Sequence, residues 1–141
     1  MNDPAIVYPV FALAAWTGLV LGLIPVARLR AGRRGLVGTD DFKFGESPAV
    51  PPAVRIPNRN YMNLLELPVL FYVACLLIFV TATTTASILA LAWAYVAARV
   101  LHSVVHLTYN KVVHRLTLFT ISNGLLIALW ALAWLQLPSR G

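Results

Sequence analysis

Four apolar stretches, each long enough to cross a bilayer as a helix, leave this chain few folds to choose from. A hydrocarbon core about 30 Å thick takes about 20 helical residues per crossing, and the stretches at about 5–26, 58–80, 84–108 and 115–137 reach that length. With 60% hydrophobic and 11% charged residues, the chain stands well apart from soluble domains, at roughly 45–50% and 25%. The pattern predicts an all-α integral membrane fold, a single four-helix transmembrane bundle over residues 1–141, with one substantial loop at about 27–57. Met1-Asn2-Asp3-Pro4 offers no basic segment, and the stretch after it exceeds a signal-peptide core, so it is expected to stay as helix one.

Charge sets the expected orientation. Arg28, Arg30, Arg33, Arg34, Lys43, Arg55 and Arg59 belong to the first loop and its edges, and Lys111 and Arg115 border the third. The second loop, around 80–83, is uncharged, and the ends carry only Asp3 and Arg140. By the positive-inside rule, loops one and three are cytoplasmic and both termini lie outside. The basic loop lacks the aromatic interleaving of a nucleic-acid surface, so no nucleic-acid partner is expected; membrane lipid with anionic headgroups suits it better.

Local signals fill in the helices. Ala14, Gly18 and Gly22 form a small-residue stripe on helix one that lets another helix approach closely. Pro25 and the stretch from Arg28 to Gly32 predict the exit from that helix. Residues 47–52 are too proline-rich for a helix and should run extended to a helix start near Pro57-Asn58. Pro68 should bend helix two just after Glu66. Cys75, in mid-helix, reads as a small packing residue.

An ionised group at the bilayer centre costs about 2.5–3.5 kcal/mol on insertion scales, so every polar residue in these helices needs a reason. Arg59, Asn63 and Glu66 stand at i, i+4 and i+7 on one face of helix two. Tyr95, Arg99, His102, His106 and Tyr109 follow the same face of helix three. Both stripes lie toward the cytoplasmic side, where Arg28 ends helix one and Arg115 begins helix four. A plain account exists for each: a Glu66–Arg99 ion pair with Asn63 as an interhelical hydrogen bond, and snorkelling for Arg28, Lys111 and Arg115. His102 and His106 have metal-binding spacing but no third ligand and no His-Glu-x-x-His pattern, so no metal is expected. Together the groups ask for an anion carrying an amine for Glu66. Glutathione, with two carboxylates, an ammonium and a thiol, satisfies that demand. Its thiol resembles free cysteine, with a pKa of about 8.5. An arginine beside the sulfur lowers that by about two units, worth about 2.7 kcal/mol, and Arg115 is well placed for it.

Arg59-Asn60-Tyr61-Met62-Asn63-Leu64-Leu65-Glu66, with Pro68 after it, resembles the Arg-x-x-x-Asn-x-x-Glu motif in helix two of the MAPEG family, the membrane-associated proteins in eicosanoid and glutathione metabolism. Ala98-Arg99-Val100-Leu101-His102 resembles the Ala-Arg-x-x-His of its helix three. The likeness is to a bacterial-type member similar to microsomal glutathione transferases and the membrane prostaglandin E synthase, which implies a bacterial inner membrane. It further implies a homotrimer that binds glutathione as cosubstrate between adjacent subunits and uses it on lipophilic small molecules, by conjugation, peroxide reduction or isomerisation. Carried over by position, Arg59, Asn63, Glu66, Arg99 and His102 bind glutathione, Arg28 resembles the helix-one arginine that assists, and Arg115, sixteen residues after Arg99, is the catalytic residue by the thiol. Two positions depart from the family: His106 stands where a glutathione-contacting tyrosine is expected, and Leu116 where a serine often follows the arginine. His106 and Tyr109 are the candidates to replace that contact.

The function expected is therefore a glutathione-dependent transferase or peroxidase. The alternatives are a non-catalytic membrane protein that binds glutathione or anionic lipid or serves assembly, and a small proton-coupled transporter working through Glu66.

Overall fold

Asp3 opens the first helical segment by accepting a hydrogen bond from the Ala5 N–H at 2.9 Å, a capping role for which its side chain is suited. The computed structural model describes residues 3–137, so Arg140 lies outside the described residues. A short 3-10 turn, Pro4–Ile6, leads into α1 (Val7–Arg33), followed by a loop, α2 (Pro52–Leu65), α3 (Pro68–Val80), α4 (Ala86–Leu107) and α5 (Val112–Leu135). Among the described residues there is no strand. Four helical units, with α2 and α3 counted as one, are long and apolar enough to cross a membrane. They fit an integral membrane protein.

The helix limits differ from the sequence expectation in three places. α1 runs through Pro25 to Arg33, because a proline inside a membrane helix is tolerated where neighbours re-satisfy the backbone. What stops it is Gly35: with φ at 68° its N–H donates to the Gly32 carbonyl and the Leu36 N–H to Ala31, the two bonds of a Schellman cap. α2 starts at Pro52 rather than near 58, since Pro51 is extended and Pro52 takes the first helical position, where a missing N–H costs nothing. Pro57, the expected start, lies inside α2. α5 begins at Val112, one turn earlier than 115–137 predicted.

Pro68 does more than bend helix two. Helical dihedrals end at Leu65, Glu66 has ψ at −100°, and α3 resumes at Pro68. The chain is broken across Glu66 and Leu67.

α4 is the central helix: half of its apolar window is buried, against 17% in each of α1 and α5. It packs antiparallel to α5 and also touches α1 and α2. The core runs through Leu13, Phe71, Cys75, Ile78, Ile88, Tyr95 and Leu129, with the Phe71 and Tyr95 rings stacked at 4.6 Å. Cys75 is buried there, as expected of a packing residue. Gly18 and Gly22 take no part in this packing; a Cβ at either would meet nothing within 4 Å, and Ala14 is exposed on α1.

The loop from 34 to 51 is built rather than slack. Asp41 accepts from the Gly38 N–H at 2.8 Å and the Ser47 hydroxyl at 2.7 Å, and these bonds hold its carboxyl below the usual range. Arg55 donates to the Val50 and Pro48 carbonyls at 2.6 and 2.8 Å, pinning the proline-rich return. Among the described residues, every lysine and arginine except Arg99 belongs to the end of the bundle where this loop and the α4–α5 connection lie.

Candidate functional site

At that basic end, the last turns of α2 and α4 and the first turn of α5 enclose a half-open cavity of about 280 Å³, lined by Ile56, Asn58, Arg59, Met62, Asn63, His106, Asn110 and Arg115. A second cavity of about 260 Å³ adjoins it, sharing Asn63 and Arg115 and adding His102, Val112, Leu116 and Phe119. Each space alone falls just short of the roughly 300–1,000 Å³ of small-molecule sites, and only the two taken together reach it. Two guanidiniums and no carboxylate line the first, while apolar side chains dominate the second.

Side chains reach these walls for readable reasons. The 3.6-residue repeat carries Arg59 and Asn63 to one face of α2, and His102 and His106 to the inward face of α4, where both are almost fully buried. Nδ1 of each histidine is buried without a protein partner, and so is Nε of Arg115. Buried polar groups in native folds are ordinarily satisfied; these three nitrogens lie behind the cavity walls rather than open to them. Arg115 donates to Asn110 Oδ1 at 2.8 Å. Asn63 Nδ2 donates to the Arg59 carbonyl at 3.1 Å, which fixes the amide along the cavity wall.

Arg99 is fully buried and lines neither cavity. Its guanidinium donates to the Asn63 carbonyl and lies 5.8 Å from the Phe119 ring centroid. The break at Glu66 explains that partner: the last carbonyls of a helix lose their i+4 donors, and a cation from α4 takes one of them. Among the described residues the Glu66–Arg99 ion pair is not formed; the ion pair present joins Arg28 to Glu46 at 3.3 Å.

Residues 6–135, nearly the whole chain, match the family model of MAPEG. The chain belongs to the MAPEG family. No match was found among curated proteins or among solved structures.

In this MAPEG chain the cavities gather five of the nine residues singled out by sequence: Arg59, Asn63, His102, His106 and Arg115. Glu66 stands exposed at the helix break, outside both cavities. Arg28 lies within α1, bonded to Glu46 and stacked over the Phe42 ring at 4.4 Å, so within one chain it anchors the loop. Tyr109 falls past the end of α4, is 57% exposed, and meets His114 Nδ1 at 3.0 Å. Several wall residues lie outside that set, Phe119 and Asn110 among them. Phe119 follows Arg115 by one helical turn, a spacing that marks it in retrospect. Asn110 follows the α4 pattern directly, where an asparagine signals a chain reversal rather than a site.

Proposed function

We propose that this MAPEG protein is a glutathione-dependent membrane transferase or peroxidase that acts on lipophilic electrophiles. The observation that carries the reading is the first cavity: Arg59 and Arg115 offer cations to an anion, with the His106 ring and the Asn63 amide beside them and no carboxylate on the wall. These groups fit the carboxylates and backbone of a small peptide. Glu66, exposed at the break three residues beyond Asn63, is the candidate partner for its ammonium. Arg99 supports Asn63 from below and His102 closes the floor of the adjoining cavity.

Arg115 borders both spaces, so a thiol held in the first faces the apolar second, where Leu116 and Phe119 suit a lipophilic partner entering from the bilayer. The guanidinium stabilises the thiolate by proximity of opposite charge. A homotrimer is part of this proposal; the outward small-residue stripe of α1 and the exposed Arg59 and Glu66 support it, since a neighbouring chain would cover them. The cations of loops one and three support a cytoplasmic side for both, and a bacterial inner membrane is the proposed location.

One observation favours a second reading, in which glutathione or an anionic lipid binds without turnover: Leu116 puts an apolar side chain on the cavity wall beside Arg115, where a hydroxyl would have served the sulfur. Turnover separates the two. Purified protein in detergent, given glutathione and a lipophilic halonitroaromatic, is expected to form the thioether at a rate proportional to enzyme and above the uncatalysed rate. A rate equal to that of protein-free micelles would leave the binding-only reading.

A further inference from the structure

Asn110 holds a backbone conformation that usually belongs to glycine. Its φ is 51°, in the left-handed region where non-glycine residues are uncommon and asparagine is the best tolerated. The conformation ends α4: the Asn110 N–H donates to the Val105 carbonyl at 2.8 Å, and α5 begins two residues later. Glycine would meet these backbone demands at no steric cost. What it would lack is the side-chain oxygen, and that oxygen accepts from the Arg115 guanidinium at 2.8 Å on the wall of the first cavity.

Arg115 sits in the first turn of α5, at the membrane end where long cationic side chains ordinarily extend toward water and lipid phosphate. Its Nε finds no protein partner. The Asn110 bond is therefore the protein contact that holds the guanidinium on the cavity wall, and the acceptor's neutrality leaves the full positive charge available to a ligand. We infer that Asn110 is a positioning residue: it orients Arg115 toward the sulfur of bound glutathione and thereby sets how acidic that thiol becomes. This rests on the proposed role of Arg115.

Removal of the acceptor and strain of the backbone are separable here, because Asn110→Gly deletes the side chain while keeping φ positive, whereas Asn110→Ala deletes it and adds strain. The experiment titrates the ultraviolet absorbance of the thiolate in glutathione bound to the full-length protein in detergent, with apparent melting temperatures recorded alongside. Both variants are expected to move the bound thiol's midpoint upward by about one unit, roughly a tenfold loss of thiolate at pH 6, while only Asn110→Ala lowers the melting temperature. In an Arg115→Ala background, Asn110→Gly should add no further shift. A wild-type midpoint in Asn110→Gly, with Arg115→Ala shifted, overturns the role of Asn110 alone. A wild-type midpoint in Arg115→Ala, or shifts that add in the double variant, removes the coupling on which the inference stands.

Discussion

Arg115→Ala is expected to displace the acid limb of the turnover profile by about two pH units toward alkali and leave glutathione binding largely intact. With the guanidinium beside the sulfur, a thiol of pKa about 8.5 falls to about 6.5. At pH 6 about a quarter is then thiolate, against about 0.3% in the variant, a difference of roughly 75-fold. Opposing this, a less acidic thiol is intrinsically more nucleophilic, by somewhat under tenfold over two units. The net expectation is turnover about tenfold slower at pH 6, a gap that closes as pH rises, with the profiles crossing at about pH 7.6 and the variant faster than the parent above that. Crossing profiles are the signature of charge stabilisation at the sulfur. A loss that stays constant across the pH range would instead assign Arg115 to orientation of the second substrate.

Arg99→Leu is expected to cost the fold more than it costs the chemistry. The guanidinium is fully buried and donates to the Asn63 carbonyl where α2 stops short of α3. No water is at hand inside a membrane bundle to take its place, and an unsatisfied buried acceptor costs about 1–3 kcal/mol. A cation near a helix C-terminus also complements the helix dipole. Leucine restores most of the volume but no donor, so the apparent melting temperature should drop by roughly 5–10 °C. Since Asn63 lies on the wall of both cavities, glutathione affinity should fall along with it. Arg99→Lys, which keeps a donor and a charge, should recover part of the stability. Unchanged melting in Arg99→Leu would show that the broken helix end is satisfied by something else.

The four spans were legible because length and apolarity suffice for them and nothing distant bears on either. Their ends were not. Pro25 and Pro57 look like stops in a chain read residue by residue, yet packed membrane helices accommodate both, and the real stop of α1 depends on the left-handed backbone at Gly35. Helical spacing placed Arg59, Asn63, His102 and His106 on facing surfaces. Helical spacing could not tell Arg99 from them, because its partner is a backbone carbonyl freed by a break two helices away in sequence. Arg28 and Arg115 look alike as cations at helix ends. They part company only when the loop folds, bringing Glu46 and Phe42 to Arg28 while Asn110 holds Arg115 on the cavity wall.

The central claim is that the basic end of this bundle binds glutathione, and the apparent melting temperature of the purified protein across a glutathione series tests it most directly. Ligand that binds only the folded state adds about 2.7 kcal/mol at a hundredfold excess over the dissociation constant. The expected result is a melting temperature that climbs by roughly 5–10 °C with the logarithm of glutathione concentration. The climb should persist in Arg115→Ala and shrink in Asn63→Ala, with triglycine at equal concentration giving none. A melting temperature indifferent to glutathione at every concentration up to the millimolar range would contradict the claim.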